Sequence, residues 1–181
     1  MSDIIPRDSE CETKSVLDNR KELLIMMEEN ALIKYVLYLS KYQKTVFICL
    51  QGEIDGTTLG ISLAADFQFV GESMEFVCSY KQMGIPPNGG LCYYLPKYVG
   101  QQKASEILFL GHTIPASHAY KLGIVTDVFP DQDFEAHCIE KAKALTDLPL
   151  GVIQGIKALN HANIEELEFY LKKEYEFIEY L

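Results

Sequence analysis

A short glycine-containing turn carries the backbone groups best suited to chemistry. An apolar, β-branched run at residues 45–50 leads into the turn at 51–56, and a small-residue helical pattern begins at Thr57. The first N–H groups of a helix have no partner within it and lie at the positive end of its dipole. Amides near Gly56, Thr57 and Thr58 could therefore hold an anion or a developing oxyanion. Many α/β folds use the same arrangement for packing alone, and this stretch by itself favours that interpretation.

A second stretch of unusual composition, GIPPNGG at residues 84–90, cannot form a helix or a strand. Its two prolines lack a backbone N–H and fix φ, while its three glycines permit left-handed φ values that other residues avoid. We therefore predict a loop of defined shape at this point.

Strand-like and helix-like patterns alternate through most of the remaining sequence. Apolar residues at helical spacing predict one or two amphipathic helices over residues 13–42, after a polar stretch at 1–12. The other predicted strands are 67–70, 75–78 and 124–129, and the other predicted helices are 91–99, 102–110, 115–122, 132–146, 150–158 and 163–181. Because parallel strands need crossover connections, this alternation favours an α/β fold.

Composition limits the classes of protein to which the chain can belong. Its 181 residues are 48% hydrophobic and 23% charged, which allows one sizeable core and favours a single domain. A formal net charge of −10, without any run of lysine or arginine, argues against nucleic acid or an anionic membrane as a partner. The five cysteines lack a CxxC pair and indicate buried thiols in a reducing compartment. The four histidines lack metal-binding spacing, and no segment resembles a signal peptide or a membrane span, so we expect a cytoplasmic protein without a metal.

Three spaced motifs resemble the crotonase superfamily, also called the enoyl-CoA hydratase/isomerase family. They are KTVFICLQGEIDGTTLGISLAADFQFV at 44–70, GIPPNGGLCYYLPKYVG at 84–100 and ASEILFLGHTIPASHAYKLGIV at 104–125. The resemblance implies an α/β fold with a crotonase-like ββα-superhelix core and a C-terminal helical region. Residues 1–181 would then form a single domain, with a helical lead-in at 1–43, the core at 44–130 and C-terminal helices at 131–181.

The resemblance also implies a site. Members of this family bind acyl-CoA thioesters and stabilise an enolate or oxyanion with two backbone amides, one of which falls on Thr57, directly after Gly56. Gly56, Pro86 and Asn88 are thus the predicted substrate-binding residues, and Tyr80 joins Thr57 as a predicted catalytic residue. Coenzyme A enters as part of the substrate, and no separate cofactor is expected.

The sequence departs from the hydratase pattern of this family. Hydratases use two glutamates to activate and deliver water, and the corresponding positions hold Gly60 and Tyr80. Some decarboxylating members of the superfamily also lack the pair, because loss of carbon dioxide needs no strong base when amides hold the enolate. Tyr80 or Asn88 could then orient a carboxylate or donate a proton. The alternative, slightly favoured, is that Tyr80 is an ordinary half-buried tyrosine at a strand end whose hydroxyl is bonded locally.

Two functions remain open from the sequence. In the first, the chain binds an acyl-CoA or acyl-carrier thioester and performs enolate chemistry such as decarboxylation or isomerisation. In the second, it is a non-catalytic, truncated crotonase-like chain that acts through oligomer assembly. The second is favoured by Gly60 and Tyr80 at the glutamate positions, and because residues 1–42 show no x-x-G-x-D loop of the kind that supplies the family's other oxyanion amide. The retained glycine-containing helix start favours the first. The resemblance implies a homo-oligomer, a trimer or hexamer, and the aromatic residues of the 163–181 helix offer a suitable surface.

Overall fold

Two small sheets and a set of helices form the part of the chain that the structure, a computed structural model, describes: residues 31–145 and 148–179. The helices are α1 (Ala31–Lys41), α2 (Gly56–Ser62), α3 (Tyr80–Met83), α4 (Leu91–Val99), α5 (Gln101–Leu110), α6 (Ala116–Lys121), α7 (Phe134–Leu145), α8 (Leu150–Asn160) and α9 (Ile164–Glu179). The strands are β1 (Phe47–Leu50), β2 (Glu53–Ile54), β3 (Phe67–Gly71), β4 (Glu75–Phe76), β5 (Ile114–Pro115) and β6 (Asp127–Phe129).

Three of the strands pair in parallel in the order β1, β3, β6. The register places Phe47 opposite Phe67 and Val70 opposite Val128. The central strand, β3, is buried at four of its five positions, as expected for a parallel strand that is covered on both faces. The second sheet holds β2 and β4 in parallel and β5 antiparallel to β4. Parallel strands joined by helices confirm the predicted α/β class.

Two hydrophobic clusters share the central strand. Phe69 and Val70 point to opposite faces of β3 because side chains alternate along a strand. Val70 belongs to the main core, where α4 packs against α2 and α5 and where α9 packs against α1. Phe69 belongs to a smaller aromatic cluster with Phe134 and Cys138 of α7. The three-stranded sheet therefore packs against the main core on one face and against α7 on the other. This packing positions the turn that follows β1.

The predicted elements are confirmed in type along most of the described chain. Helix α1 lies within the helical region predicted at 13–42, while residues 1–30 lie outside the described part. The turn predicted at 51–56 is wrong in one respect, because it contains the short strand β2. The strand predicted at 124–129 forms only at its end, because Ile124 and Val125 turn into the main core. Strands of two residues, such as β2 and β5, are too short to show a period in the sequence.

Candidate active site

The start of α2 lies where the sequence predicts a site with free backbone donors. Asp55 caps the helix, and its Oδ1 accepts a hydrogen bond from the Thr58 amide at 2.8 Å. Thr58 is thus removed from the predicted set of free amides. The Gly56 and Thr57 amides have no hydrogen-bond acceptor among residues 31–145 and 148–179. Two adjacent N–H groups of the helix start are therefore left without an acceptor in the described chain.

Asn88 brings the 84–90 loop against this helix start. The Thr57 hydroxyl donates a hydrogen bond to Asn88 Oδ1. The Asn88 side-chain nitrogen has no acceptor in the described part of the chain. Every fully buried side-chain nitrogen or oxygen there has a partner, so this nitrogen is reached by solvent. The structure thus brings together two of the predicted site residues, Thr57 and Asn88, and leaves an amide donor beside the two free backbone N–H groups.

Two glycines allow the helix and the loop to approach so closely. A Cβ atom added at Gly60 would lie 2.7 Å from the Gly89 carbonyl oxygen and 2.8 Å from the Leu91 nitrogen. A Cβ added at Gly89, whose φ is +71°, would lie 2.7 Å from the Thr57 carbonyl oxygen. Gly60, at which the family resemblance places one hydratase glutamate, is therefore a position of backbone contact that cannot accept a carboxylate side chain without a shift of the loop.

Tyr80 lies beside the helix start, with its hydroxyl held elsewhere. Its ring covers Gly56, where an added Cβ would be 2.9 Å from Tyr80 Cδ1. The hydroxyl donates to the Leu108 carbonyl oxygen at 3.0 Å, and burial raises the pKa of Tyr80 above its usual value. This is the local bond that the sequence analysis weighs against a catalytic role. The structure places the ring in the wall of the site, and a catalytic role for the hydroxyl stays a prediction.

The loop residues 84–90 have the irregular shape that their composition predicts. Gly84, Gly89 and Gly90 all have left-handed φ values, +68°, +71° and +80°. Pro86, a predicted substrate-binding residue, is half-buried in this loop. The Gly90 amide lies at the start of α4 and points away from Thr57, toward α9. The loop therefore presents Asn88 to one side and its last amide to the other.

Glu174, on α9, is a residue near this site that the sequence analysis misses. It is only 9% exposed, and both of its carboxylate oxygens accept from the Gly90 amide at 3.1 Å. Burial raises the pKa of Glu174 to about 7, although the hydrogen bonds from Gly90 oppose that rise. A signal was available, because Glu174 falls on the apolar stripe formed by Leu167, Leu171 and Ile178. A charged residue within a buried stripe needs a specific partner.

A cavity of about 520 Å³ lies elsewhere, between α4 and the C-terminal helices, and contains none of the predicted site residues. Its lysines and its aspartate are engaged within the described chain. Lys157 forms a 2.5 Å ion pair with Asp66, and Lys97 Nζ lies 3.4 Å from the centre of the Tyr93 ring. Asp66 also accepts from the Val46 amide at 2.8 Å. The charged groups of the cavity are thus already bound within the chain, and uncharged polar residues such as Asn160 and His161 also line it.

Neither a metal cluster nor a membrane-spanning helix occurs among the described residues. No group of three histidine, cysteine, aspartate or glutamate side chains among them could hold a metal ion. None of the described helices has both the length and the apolar character needed to cross a membrane. Cys78 and Cys138 are buried, but Cys49 is exposed, so the prediction of buried thiols is wrong for that residue. Cys11 lies outside the described part.

Comparison with known proteins identifies the family. The model of the family described as Enoyl-CoA hydratase/isomerase matches residues 19–180. The chain belongs to this family, the crotonase superfamily. The solved structure of an enoyl-CoA hydratase from Bacillus halodurans matches with a TM-score of 0.77 at 22% identity, covering 91% of this chain and 66% of that one. The crotonase-like fold predicted from the sequence motifs is thereby confirmed.

Curated relatives of this crotonase-family chain carry different activities in their names. 4-Chlorobenzoyl coenzyme A dehalogenase-1 from Arthrobacter sp is 31% identical over 118 residues, which cover 65% of this chain and 42% of the relative. Enoyl-CoA delta isomerase 2 from Rattus norvegicus is 29% identical over 117 residues, which cover 62% of this chain and 30% of the relative. The chain thus spans less than half the length of these two relatives.

Proposed function

We propose that this chain binds an acyl-CoA or acyl-carrier thioester, with the thioester carbonyl oxygen at the Gly56 and Thr57 amides. The observation that carries the proposal is the pair of N–H groups at the start of α2 without an acceptor in the described chain. The family supports it, because the two relatives named above act, by their names, on thioesters of coenzyme A. Backbone donors of this kind stabilise a developing oxyanion without any side-chain contribution at Thr57.

The proposed chemistry is enolate formation without a glutamate pair. A Cβ added at Gly60 would lie less than 3 Å from backbone atoms of the loop, so a glutamate does not fit there. The Tyr80 hydroxyl is hydrogen-bonded to the Leu108 carbonyl oxygen. The free Asn88 nitrogen is a neutral donor suited to a substrate carboxylate. In a decarboxylation, the electron pair of the breaking C–C bond would become the enolate, carbon dioxide would leave, and the carbon would take a proton from water. Decarboxylase or isomerase chemistry is thus favoured over hydration.

Thermal unfolding with coenzyme A, acetyl-CoA and malonyl-CoA tests the binding proposal. A thioester at about 100 times its dissociation constant should stabilise the fold by about 2.7 kcal/mol. Asn88→Ala should weaken the binding of malonyl-CoA more than that of acetyl-CoA, because only malonyl-CoA carries a carboxylate. Asn160→Ala is the matched control, since Asn160 is exposed on α8. Absence of stabilisation by every thioester would contradict the proposal.

Hydration of crotonyl-CoA tests the reaction class separately. We expect no useful rate, because Gly60 and Tyr80 supply no carboxylate to activate water. Loss of the enoyl absorbance would report the reaction. Turnover on the order of 10 per second, as in an ordinary enzyme, would show that the excluded chemistry does occur.

The second candidate function, assembly with copies of the same chain, is favoured by the C-terminal helices. Leu159 is 80% exposed, Phe177 67% and Phe169 64%, so α8 and α9 present large apolar side chains to solvent. Such surfaces are common at subunit interfaces. We propose a homo-oligomer, a trimer or hexamer. Light scattering should show this, with Phe177→Glu yielding smaller species and Lys172→Glu, also exposed on α9, leaving the mass unchanged. A monodisperse wild-type monomer at micromolar concentration would rule it out.

A further inference from the structure

A buried carboxylate holds the far end of the site loop. Glu174 Oε1 and Oε2 each accept from the Gly90 amide at 3.1 Å. The Gly89 amide and the Tyr170 hydroxyl lie near enough to favour the ionised carboxylate and so lower its pKa. Among the described residues, no lysine, arginine or histidine forms an ion pair with it. Within the described chain, the carboxylate is thus held by the Gly90 amide and not by a cation.

The shape of the loop explains why a carboxylate fits there. Gly89 and Gly90 have successive left-handed φ values, +71° and +80°. Successive N–H groups in such a turn converge and form a concave site for an anion. Gly90 also begins α4, whose positive dipole end favours a negative charge. Here the anion is supplied by the chain itself, from α9.

The same loop connects this carboxylate to the start of α2. Asn88 precedes the two glycines, and its Oδ1 accepts from the Thr57 hydroxyl. The Gly89 backbone is also packed directly against Gly60 of α2. A continuous series of contacts therefore runs from Glu174 through Gly90 and Asn88 to Thr57.

We propose that Glu174 is a positioning residue whose carboxylate fixes the Gly89–Gly90 turn and thereby holds the Asn88 amide beside Thr57. Its effect on thioester binding rests on the function proposed above, whereas its hold on the turn does not. The ionised form can accept from all of its donors at once. The protonated acid turns one oxygen into an O–H donor and loses acceptor capacity. The interaction of Glu174 with the Gly89–Gly90 turn should therefore weaken when the carboxylate is protonated.

The environment of Glu174 places this change near neutral pH. Burial raises its pKa to about 7. The titratable groups that face it are the Tyr170 hydroxyl on its own helix and the Cys92 thiol on α4, and burial raises the pKa of both. Both of these groups stay neutral at that pH, so Glu174 is the group in this cluster that changes charge.

The hold on the turn is tested without any ligand. The amide NMR signals of Gly89 and Gly90 should titrate with a midpoint near pH 7 in the full chain. Glu174→Gln should abolish that titration, and Glu176→Gln, exposed on the same helix, should leave it intact. If Glu174→Gln does not fold, Tyr170→Phe serves instead: it removes a donor to the ionised form, so the midpoint should rise. A titration that is absent from the wild type, survives in Glu174→Gln or stays fixed in Tyr170→Phe would overturn the proposal.

The effect on the site is tested by the pH dependence of malonyl-CoA affinity. The wild type should bind about tenfold more weakly at about pH 6 than at about pH 8, since a hydrogen bond to a charged group is lost. Glu174→Gln should bind weakly at both values, and Glu174→Asp should regain part of the dependence. Equal affinity of Glu174→Gln and the wild type at both values would refute the positioning role. A wild type that binds no thioester would instead refute the proposed function, while the NMR titration would still decide whether Glu174 holds the turn.

Discussion

The start of α2 and the cavity beside α8 differ in whether their polar groups have partners within the chain. At the start of α2, the Gly56 and Thr57 amides and the Asn88 nitrogen have no partner in the described chain. The cavity offers about 520 Å³, yet its Lys157 and Asp66 are bound to each other at 2.5 Å. Because a ligand is held by polar groups that the fold leaves free, we locate the site by unpaired donors and not by volume.

The comparison also separates two uses of a buried charge. Lys157 and Asp66 are 7% and 19% exposed and neutralise each other, so the pair joins α8 to the sheet. Glu174 is buried without a described cation, and burial raises its pKa to about 7. A paired charge stabilises an architecture, whereas an unpaired one near its pKa makes the structure respond to pH.

The largest expected effect comes from filling the contact between α2 and the loop. Gly60→Glu would force a side chain against the Gly89 oxygen and the Leu91 nitrogen and would bury a charge. We expect a loss of more than about 4 kcal/mol in the free energy of unfolding, or failure to fold. Gly155→Glu on α8 is the control, since no atom lies within 4 Å of a Cβ added there. Urea unfolding measures both, and a wild-type midpoint for Gly60→Glu would show that the loop can move aside.

The next largest effect should come from breaking the ion pair beside the cavity. Lys157→Met would leave the Asp66 carboxylate partly buried, with the Val46 amide as its one remaining donor among the described residues. We expect a loss of about 3 kcal/mol in unfolding free energy. Lys103→Met is the control, because the Lys103 to Glu106 pair is exposed and should change stability by less than about 1 kcal/mol. Equal effects of the two substitutions would contradict the structural role assigned to Lys157.

The dependence of stability on pH distinguishes the two buried charges further. The folded-state pKa of Glu174, about 7, lies above that of an unfolded glutamate, so the folded state binds the proton more tightly. The contribution of this group to stability is therefore present at low pH and is lost as pH rises toward 7. Each unit of such a shift corresponds to about 1.4 kcal/mol. Urea unfolding across this pH range should show the loss in the wild type and its absence in Glu174→Gln; a variant with an unchanged slope would assign the dependence to another group.

The sequence predicts those parts of the site that depend on local patterns or on an ordered motif. The free amides follow from a strand, a glycine turn and a helix within residues 45–62, and the loop shape follows from its prolines and glycines. The contact of Glu174 with Gly90 joins residues 84 positions apart, so no local pattern reveals the pairing. The sequence shows Glu174 only as an anomaly in an apolar stripe.

The role of Gly60 illustrates a second limit. In the sequence, Gly60 stands where the family resemblance places a glutamate, and the inference drawn from it is that the hydratase reaction lacks a carboxylate. In the structure, Gly60 is the point where α2 contacts the Asn88–Gly89 backbone, and the inference is that a larger residue would not fit between the helix and the loop. Both statements hold, but only the second says what a substitution would do, because close approach of two backbones is a tertiary property.

The smallest expected effect tests the helix start itself. Asp55→Ala removes the cap from the Thr58 amide and should cost about 1 kcal/mol in unfolding free energy, whereas Asp55→Asn keeps an acceptor and should cost much less. Glu53→Ala, at an exposed position of β2, is the control for loss of a nearby carboxylate. The Asp55 charge also lowers the positive potential at the Gly56 and Thr57 amides. Asp55→Asn should therefore bind malonyl-CoA more tightly than the wild type if the thioester oxygen lies at these amides. Unchanged or weaker binding by a stable Asp55→Asn would place the thioester elsewhere.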